Sequence, residues 1–194
     1  MDKTLPIARS ELILGGQKSG KSRRAEALVQ HWLAQSGSHR AVMIATAQAW
    51  DEEMTQRIAR HQADRAQRVP GMITVEEPLH LAQAIRTHSV PETLVVVDCL
   101  TLWLTNRLMP VHANAPDAEQ TLSAETGQLL QSITSAPGPL VLVGNEIGLG
   151  VIPLGREVRA FVDALGLLNQ QVAAVCARVT LMAAGLPLTL KDVP

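Results

Sequence analysis

The sequence predicts a three-layer α/β domain with a mostly parallel β-sheet. Short apolar runs alternate with amphipathic segments along the chain, which is the order expected of successive strand–helix units. Several runs are apolar at consecutive positions, as in LVVVD at Leu94–Asp98, and this pattern is typical of strands buried on both faces of a sheet. A glycine-rich loop joins the first run to the first helical pattern, a strand–loop–helix arrangement that belongs to this fold class.

The strands and helices follow from these patterns in chain order. The short apolar runs predict strands at Leu12–Gly15, Ala41–Thr46, Met72–Glu76, Leu94–Asp98, Leu140–Gly144, Val179–Ala183 and Leu188–Leu190. The amphipathic segments predict helices at Lys21–Gln35, Asp51–Arg65, Leu79–His88, Leu100–Met109, Ala118–Thr134 and Leu154–Ala177.

Boundary residues support individual elements. Asp51 is suited to cap the second helix, and Glu52 and Glu53 suit its first turn. The proline- and glycine-containing segments 110–116 and 135–139 are predicted surface loops. The last two strands flank a Gly-Leu-Pro sequence at 185–187 and are predicted to form a terminal hairpin.

Composition limits the classes of function. The chain has 194 residues without a repeat or dividing linker, so one domain spanning residues 1–194 is expected. A net charge of −1, one Phe and no Tyr argue against nucleic acid as the main partner. No apolar run is long enough to predict a membrane span, and the N-terminus lacks the apolar core of a signal peptide. Cys99 and Cys176 lack metal-ligand spacing and fit a reduced, cytoplasmic setting.

A complete Walker A phosphate loop follows the first predicted strand. It consists of Gly15, Gly16, Gln17, Lys18, Ser19, Gly20, Lys21 and Ser22. Backbone N–H groups of such a loop converge on phosphates, and the helix that follows adds a favourable field. Lys21 is expected to reach the β- and γ-phosphates, and the Ser22 hydroxyl is expected to bind Mg²⁺. A chance glycine turn would not require the flanking strand and helix. The sequence therefore predicts a site for a nucleoside triphosphate.

Asp98 ends the apolar run LVVVD downstream of the phosphate loop. An acid at this position is the Walker B arrangement and would hold Mg²⁺ opposite Ser22, directly or through water. The alternative is a helix N-cap, because a helical pattern begins within a few residues.

The second predicted helix carries Arg57, His61 and Arg65 at a spacing of four, so that they stack along one strip. Two cationic neighbours favour the neutral, nucleophilic form of an imidazole, and arginines can clamp a triphosphate. The alternative is an amphipathic helix with solvated arginines and an incidental histidine. The residues alone leave both interpretations open.

Two more carboxylates follow predicted strands. Glu76 is either a loop carboxylate or a group that holds a ribose or a metal-bound water. Glu146 follows LVLVG and could position a hydroxyl, act as a base or brace the turn at 148–150.

Taken in order, these segments resemble the bifunctional cobalamin-biosynthesis family of adenosylcobinamide kinase/adenosylcobinamide-phosphate guanylyltransferase. The resemblance extends from Leu12 to Lys191. The segments that carry it are LILGGQKSGKSRRAE, IATAQAWDEEMTQRIARHQADR, VVVDCLTLWLTN, VGNEIGLGVIPLGREVR and LNQQVAAVCARVTLMAAGLPLTLK. The phosphate loop is shared with many NTPases, whereas the second and fourth segments are far more particular.

The resemblance implies a RecA-like P-loop core, a homotrimer and two reactions. One is phosphoryl transfer from ATP or GTP to adenosylcobinamide. The other transfers GMP from GTP to adenosylcobinamide phosphate and gives adenosylcobinamide-GDP. His61 matches the family histidine that carries GMP as a covalent phosphoramidate, and Lys21 matches the phosphate-loop lysine. The remaining positions that it implies for nucleotide binding are Thr46, Ala47, Gln48, Gln62, Ala63, Asp64, Arg65, Glu76 and Asp98.

The sequence departs from the family pattern at Gln17-Lys18, at Gly144 and at Leu154-Gly155, and a few residues are inserted around 66–71. None of these changes removes a predicted nucleophile, phosphate ligand or metal ligand. Two other classes stay open as alternatives: a plain small-molecule kinase in which His61 is structural, and a GTP-binding switch. The absence of an N/T-K-x-D guanine motif argues against the switch, and near-neutral charge disfavours a DNA-directed motor.

Overall fold

The structure is a computed structural model that describes residues 6–49, 52–109 and 118–193. The side chains at 57, 61, 66 and 118–120 lie outside that description. The predicted nucleophile His61 is therefore placed by its backbone alone. The predicted cap Asp51 and the predicted loop at 110–116 also lie outside the described residues.

The described strands form one seven-stranded sheet in the order β3-β2-β4-β5-β1-β6-β7. In chain order they are β1 Ser10–Gly15, β2 Arg40–Ala45, β3 Met72–Glu76, β4 Thr93–Asp98, β5 Leu140–Val143, β6 Arg178–Ala183 and β7 Leu186–Asp192. All pairings are parallel except that between β6 and β7. The predicted mostly parallel sheet and the terminal hairpin are thereby confirmed.

Helices cover both faces of the sheet and complete the predicted three layers. They are α1 Lys21–Gln35, α2 Glu52–Arg68, α3 Leu81–His88, α4 Leu100–Leu108, α5 Ala118–Ser135 and α6 Arg156–Val175. One buried cluster joins the sheet to α1, with Leu28 and Val29 at its centre. The other joins the opposite face to α3, α4, α5 and α6 and includes Trp103, Ile133 and Leu165. Central strands are buried on both sides, which explains their uninterrupted apolar sequences.

Two helices begin or end at residues other than those predicted, and a hydrogen bond or a buried residue lies at each of these boundaries. The α3 helix begins at Leu81 instead of Leu79, because the Glu77 carboxylate accepts the N–H groups of Leu79 and His80 at 3.0 and 2.8 Å. The α2 helix continues to Arg68 and is followed by the buried Val69.

None of the helices in the described ranges combines the length and apolar character needed to cross a bilayer.

The parallel strands bring several connecting loops to one edge of the sheet. β1, β2, β4 and β5 all run in the same direction, so their carboxyl ends share that edge, which is where α/β proteins bind ligands. The phosphate loop, Thr46, Asp98 and the segment that follows β5 therefore meet there.

Candidate active site

The phosphate loop turns tightly at two glycines. A Cβ added at Gly15 would lie 2.5 Å from both the Ser19 Oγ and the Met182 carbonyl oxygen. Gly20 precedes α1 with φ of 104°, and a Cβ there would lie 3.2 Å from Gly185 Cα. The motif requires glycine at these positions because both the backbone conformation and the space exclude larger side chains.

Lys21 folds back over the loop. Its Nζ donates hydrogen bonds to the carbonyl oxygens of Gly15 at 2.9 Å and Gly16 at 2.6 Å. Burial lowers the pKa of Lys21 below its usual value, and the neighbouring Cys99 and Asp98 oppose that shift. A triphosphate in the loop would offer this buried ammonium charged acceptors, which bind more strongly than neutral carbonyls.

The β6–β7 hairpin supports the loop from outside. The backbone N–H of Gly185 donates to the Ser19 carbonyl oxygen at 3.0 Å. The Ser19 Oγ is buried and has no hydrogen-bond partner among the described atoms. Lys18 has a left-handed backbone with φ of 56° and an exposed side chain, while Ser22 lies half-buried in the first turn of α1.

Asp98 forms an ion pair with α2 at the end of β4. The Arg65 guanidinium donates to Asp98 Oδ2 at 3.2 Å and also contacts the Met43 sulfur. Arg65 is only 8% exposed, whereas the Asp98 side chain is 23% exposed. The N-cap of α4 is Cys99, which makes no side-chain capping bond. Asp98 is therefore not the N-cap of this helix, and the alternative interpretation of Asp98 was wrong. The Asp98–Cys99 peptide bond is cis.

Thr46 connects the ends of β2 and β4. Its hydroxyl donates to the Cys99 carbonyl oxygen at 2.7 Å and accepts the Cys99 N–H at 2.8 Å. The Asn106 amide donates to the Thr46 carbonyl oxygen at 2.8 Å. Thr46 is fully buried, so in this structure its hydroxyl fixes the backbone beside Asp98. Ala47 and Gln48 follow it and are half-buried.

The α2 helix contacts the same edge at a second point. Gln62 Nε2 donates to Glu76 Oε1 at 3.0 Å, at the end of β3. Ala63 is exposed, and Asp64 pairs with Arg68 at 3.4 Å. The backbone of residue 61 lies one helical turn before Arg65, roughly 6 Å along the helix axis. Position 61 therefore lies on the part of α2 that precedes the Arg65–Asp98 contact.

Glu146 follows β5 and contacts the residue at which the phosphate loop begins. Its backbone N–H donates to the Gly15 carbonyl oxygen at 3.1 Å, and its Oε1 accepts the Gly148 N–H at 2.7 Å. The carboxylate therefore braces the glycine-rich turn, one of the three roles expected for it. Asn169 on α6 donates to the Asn145 carbonyl oxygen at 3.1 Å and holds the same segment.

A cavity of about 460 Å³ opens beside the loop. Its walls are residues 16–19, Glu146 and Leu149 from the segment between β5 and α6, and residues 181–184 of the terminal hairpin. The sequence did not predict that Leu149 and the terminal hairpin line this cavity. The sequence GLGVIPLG at 148–155 contains no polar side chain. This apolar composition in a predicted turn is the signal that could have indicated a binding role for Leu149.

Comparison with known proteins identifies the family. A family model described as cobinamide kinase / cobinamide phosphate guanyltransferase matches residues 11–190. A bifunctional adenosylcobalamin biosynthesis protein CobP from Pseudomonas aeruginosa is 48% identical over 184 residues, which cover 95% of this chain and 98% of that protein. Two proteins named bifunctional adenosylcobalamin biosynthesis protein CobU, from Escherichia coli and Salmonella typhimurium, are 36% and 33% identical over 187 residues. Each of those alignments covers 93% of this chain and 98% of the relative. The chain therefore belongs to the cobinamide kinase / cobinamide phosphate guanyltransferase family.

Proposed function

We propose that this chain catalyses both reactions of its family on adenosylcobinamide. In the first, the hydroxyl of the aminopropanol arm receives the γ-phosphoryl group of ATP or GTP. In the second, GMP is transferred from GTP to the resulting phosphate, and pyrophosphate is released. One observation carries the proposal. The phosphate loop and Asp98 lie at the same edge of the sheet, and α2, the helix that contains position 61, contacts Asp98 there through Arg65.

The phosphoryl-transfer step depends on charge stabilisation. The loop N–H groups and the Lys21 ammonium surround the position of the β- and γ-phosphates. Lys21 is held against the loop by the Gly15 and Gly16 carbonyl oxygens, and the charged phosphate oxygens would replace these carbonyl oxygens as its acceptors.

The oxygen groups at the site fit Mg²⁺. The described side chains contain no group of three or more His, Cys, Asp or Glu residues arranged around a metal. This agrees with an ion that takes one or two protein oxygens and its other ligands from phosphates and water. Ser22 and Asp98 would hold it, and it would neutralise charge that develops on the phosphates. Asp98 Oδ2 is engaged by Arg65, which leaves Oδ1 for this role.

The guanylyl-transfer step passes through His61. A neutral ring nitrogen attacks the α-phosphorus of GTP, the bond to the leaving pyrophosphate oxygen breaks, and a P–N bond forms. A phosphate oxygen of adenosylcobinamide phosphate then attacks the same phosphorus and releases the histidine. In this proposal Gln62, Ala63, Asp64 and Arg65 line the bound GTP with Thr46, Ala47, Gln48 and Glu76. The position of α2 supports it, because Gln62 and Arg65 both reach strand ends at this edge.

We further propose that the chain acts in the cytoplasm as a homotrimer of single domains, without a nucleic-acid partner. The family resemblance supports the trimer, and the net charge of −1 supports the absence of nucleic acid.

Two radioactive labels test the two activities separately. With GTP labelled at the α-phosphorus, the wild-type chain should carry an acid-labile label and the His61→Asn variant should carry none. With ATP labelled at the γ-phosphorus and adenosylcobinamide, both proteins should form labelled product. An acid-stable label, or an equal label in His61→Asn, would contradict the covalent step and favour a plain kinase.

A further inference from the structure

An apolar segment lies exposed between β5 and α6. Leu149 is 81% exposed, Val151 96%, Ile152 76% and Leu154 97%. Contiguous exposed apolar side chains of this kind mark binding surfaces, because water solvates them poorly. We call residues 149–154 the apolar segment.

The apolar segment is held at both ends. Arg159 on α6 donates to the carbonyl oxygens of Pro153 and Leu154 at 3.0 and 2.5 Å. On the other side, Glu146 accepts the Gly148 N–H and is itself hydrogen-bonded to β1 through its backbone. The apolar side chains are therefore presented by a supported backbone.

The cavity beside the phosphate loop is continuous with this segment, since Leu149 belongs to both. Ala183 and Ala184 in the opposite wall have short side chains, and a Cβ added at Gly16 would meet nothing within 4 Å. A ligand lying on the apolar segment can thus extend past Glu146 to the loop that binds the phosphates.

We infer that the apolar segment and this cavity form the binding site for the corrinoid acceptor. The inference rests on the proposed function, which requires a large macrocyclic ligand, with methyl groups beside its polar amides, and a hydroxyl-bearing arm. The ring would lie on Val151, Ile152 and Leu154, and the arm would enter the cavity toward the phosphate loop. The Glu146 carboxylate in the cavity wall accepts a hydrogen bond from the hydroxyl of that arm.

The Glu146 carboxylate in the cavity wall favours this occupant over a second copy of the chain. A protein surface seated on the apolar segment would cover the mouth of the cavity and remove the Glu146 carboxylate from water, which is costly without a cationic partner. An acceptor with a hydroxyl adds a hydrogen bond to the one that the carboxylate already accepts from the Gly148 N–H.

The test is direct binding of adenosylcobinamide to the wild-type chain and to an Ile152→Ser/Leu154→Ser double variant by titration calorimetry. The double variant should bind about tenfold or more weakly, because it loses apolar contacts. Its Kd for ATP and its rate of labelling by GTP should stay the same. The matched control is Val90→Ser, which changes a valine that is 49% exposed. Val90 precedes β4 and therefore lies near the amino ends of the parallel strands, away from the phosphate loop.

Each outcome has a defined meaning. Equal Kd values for the acceptor in the wild type and the double variant would overturn the site, as would a wild-type chain that does not bind the acceptor. A double variant that sediments as a smaller assembly would show that the segment joins copies of the chain, which also overturns it. If the wild type binds the acceptor at this segment but transfers neither phosphate nor GMP, the proposed function fails and the binding site stands.

Discussion

The two sides of the phosphate loop are built in opposite ways. Toward β4, the polar groups are paired inside the protein: Arg65 with Asp98, and the Thr46 hydroxyl with the Cys99 backbone. In the segment between β5 and α6, the apolar side chains Leu149 and Val151 are exposed to solvent. The polar groups on the first side are already held in place by their partners within the protein. The second has surface that only a ligand or partner can bury.

The connection that follows β5 produces this contrast. β1 lies between β5 and β6, and the segment after β5 lines the same cavity beside the phosphate loop as residues of β6. Beyond β5 come β4 and β2, whose ends carry acid and hydroxyl groups. Substitutions on the polar side should therefore cost stability or phosphate affinity, whereas substitutions on the apolar side should leave the fold intact.

The largest effect is expected from Lys21→Ala, which removes the cation of the phosphate loop. Loss of one preorganised charge that stabilises the transition state should lower kcat/KM of phosphoryl transfer by on the order of 10²–10³-fold. Steady-state kinetics with adenosylcobinamide and ATP measure this. Lys191→Ala is the control, because the Lys191 ammonium also donates to two carbonyl oxygens but lies on β7. Equal losses in the two variants would contradict the role of Lys21.

Thr46→Val tests the internal pairing on the polar side. The variant leaves the buried Cys99 N–H without its acceptor, so the free energy of unfolding should fall by about 1–3 kcal/mol. Urea denaturation measures the change, and Thr46→Ser should retain most of the stability because it keeps the hydroxyl. If Thr46→Val unfolded at the same urea concentration as the wild type, the hydroxyl would not be the support that we describe.

The Arg65–Asp98 pair should give a smaller effect. A double-mutant cycle with Arg65→Met and Asp98→Asn is expected to give a coupling of about 1 kcal/mol in unfolding free energy, because Asp98 is partly exposed and solvent screens the pair. Additive single effects would mean that the two charges do not stabilise each other. As an uncoupled control, Arg86→Met can replace Arg65→Met in the same cycle, since Arg86 is on α3.

The smallest effect is a pH dependence of ATP binding. Since burial lowers the pKa of Lys21, its ammonium loses its proton at a lower pH than a free lysine. ATP affinity should therefore decline as pH rises, beginning below the usual lysine value of 10.5. In the same window the unfolded chain binds more protons than the folded one, so this group's contribution to stability rises with pH. Titration calorimetry at increasing pH measures the affinity, and Lys21→Ala should lack this decline.

The sequence predicted the boundaries of a helix or strand well where residues next to that boundary determine it. Helix α1 begins and ends where expected, at Lys21 and Gln35, because the phosphate loop determines its start. β7 is longer than the predicted Leu188–Leu190, since the turn at Ala184 and Gly185, with φ of 52° and 81°, is tight enough for pairing to begin at Leu186. That length depends on the turn conformation, which composition does not determine.

The candidate site was predictable in part. The sequence predicted the phosphate loop and Asp98 as site residues because each is a local pattern of residue types, and their roles toward nucleotide stay predictions. The partner of Arg65 could not be predicted, since α2 carries several arginines and only its packing against β4 selects one of them. The hydrogen bonds between Thr46 and the Cys99 backbone could not be predicted either, because they depend on the pairing of β2 with β4. The sequence predicts only that Thr46 contacts nucleotide. Its role toward nucleotide stays a prediction.

The central claim is that GTP in the phosphate loop guanylylates His61. Intact mass spectrometry of the chain after mixing with GTP, without acceptor, tests it most directly. We expect a mass increase of one GMP in the wild type and in Val90→Ser, none in His61→Asn, and loss of the increase when adenosylcobinamide phosphate is added. An unmodified wild-type chain, or an equal increase in His61→Asn, would show that His61 does not carry GMP.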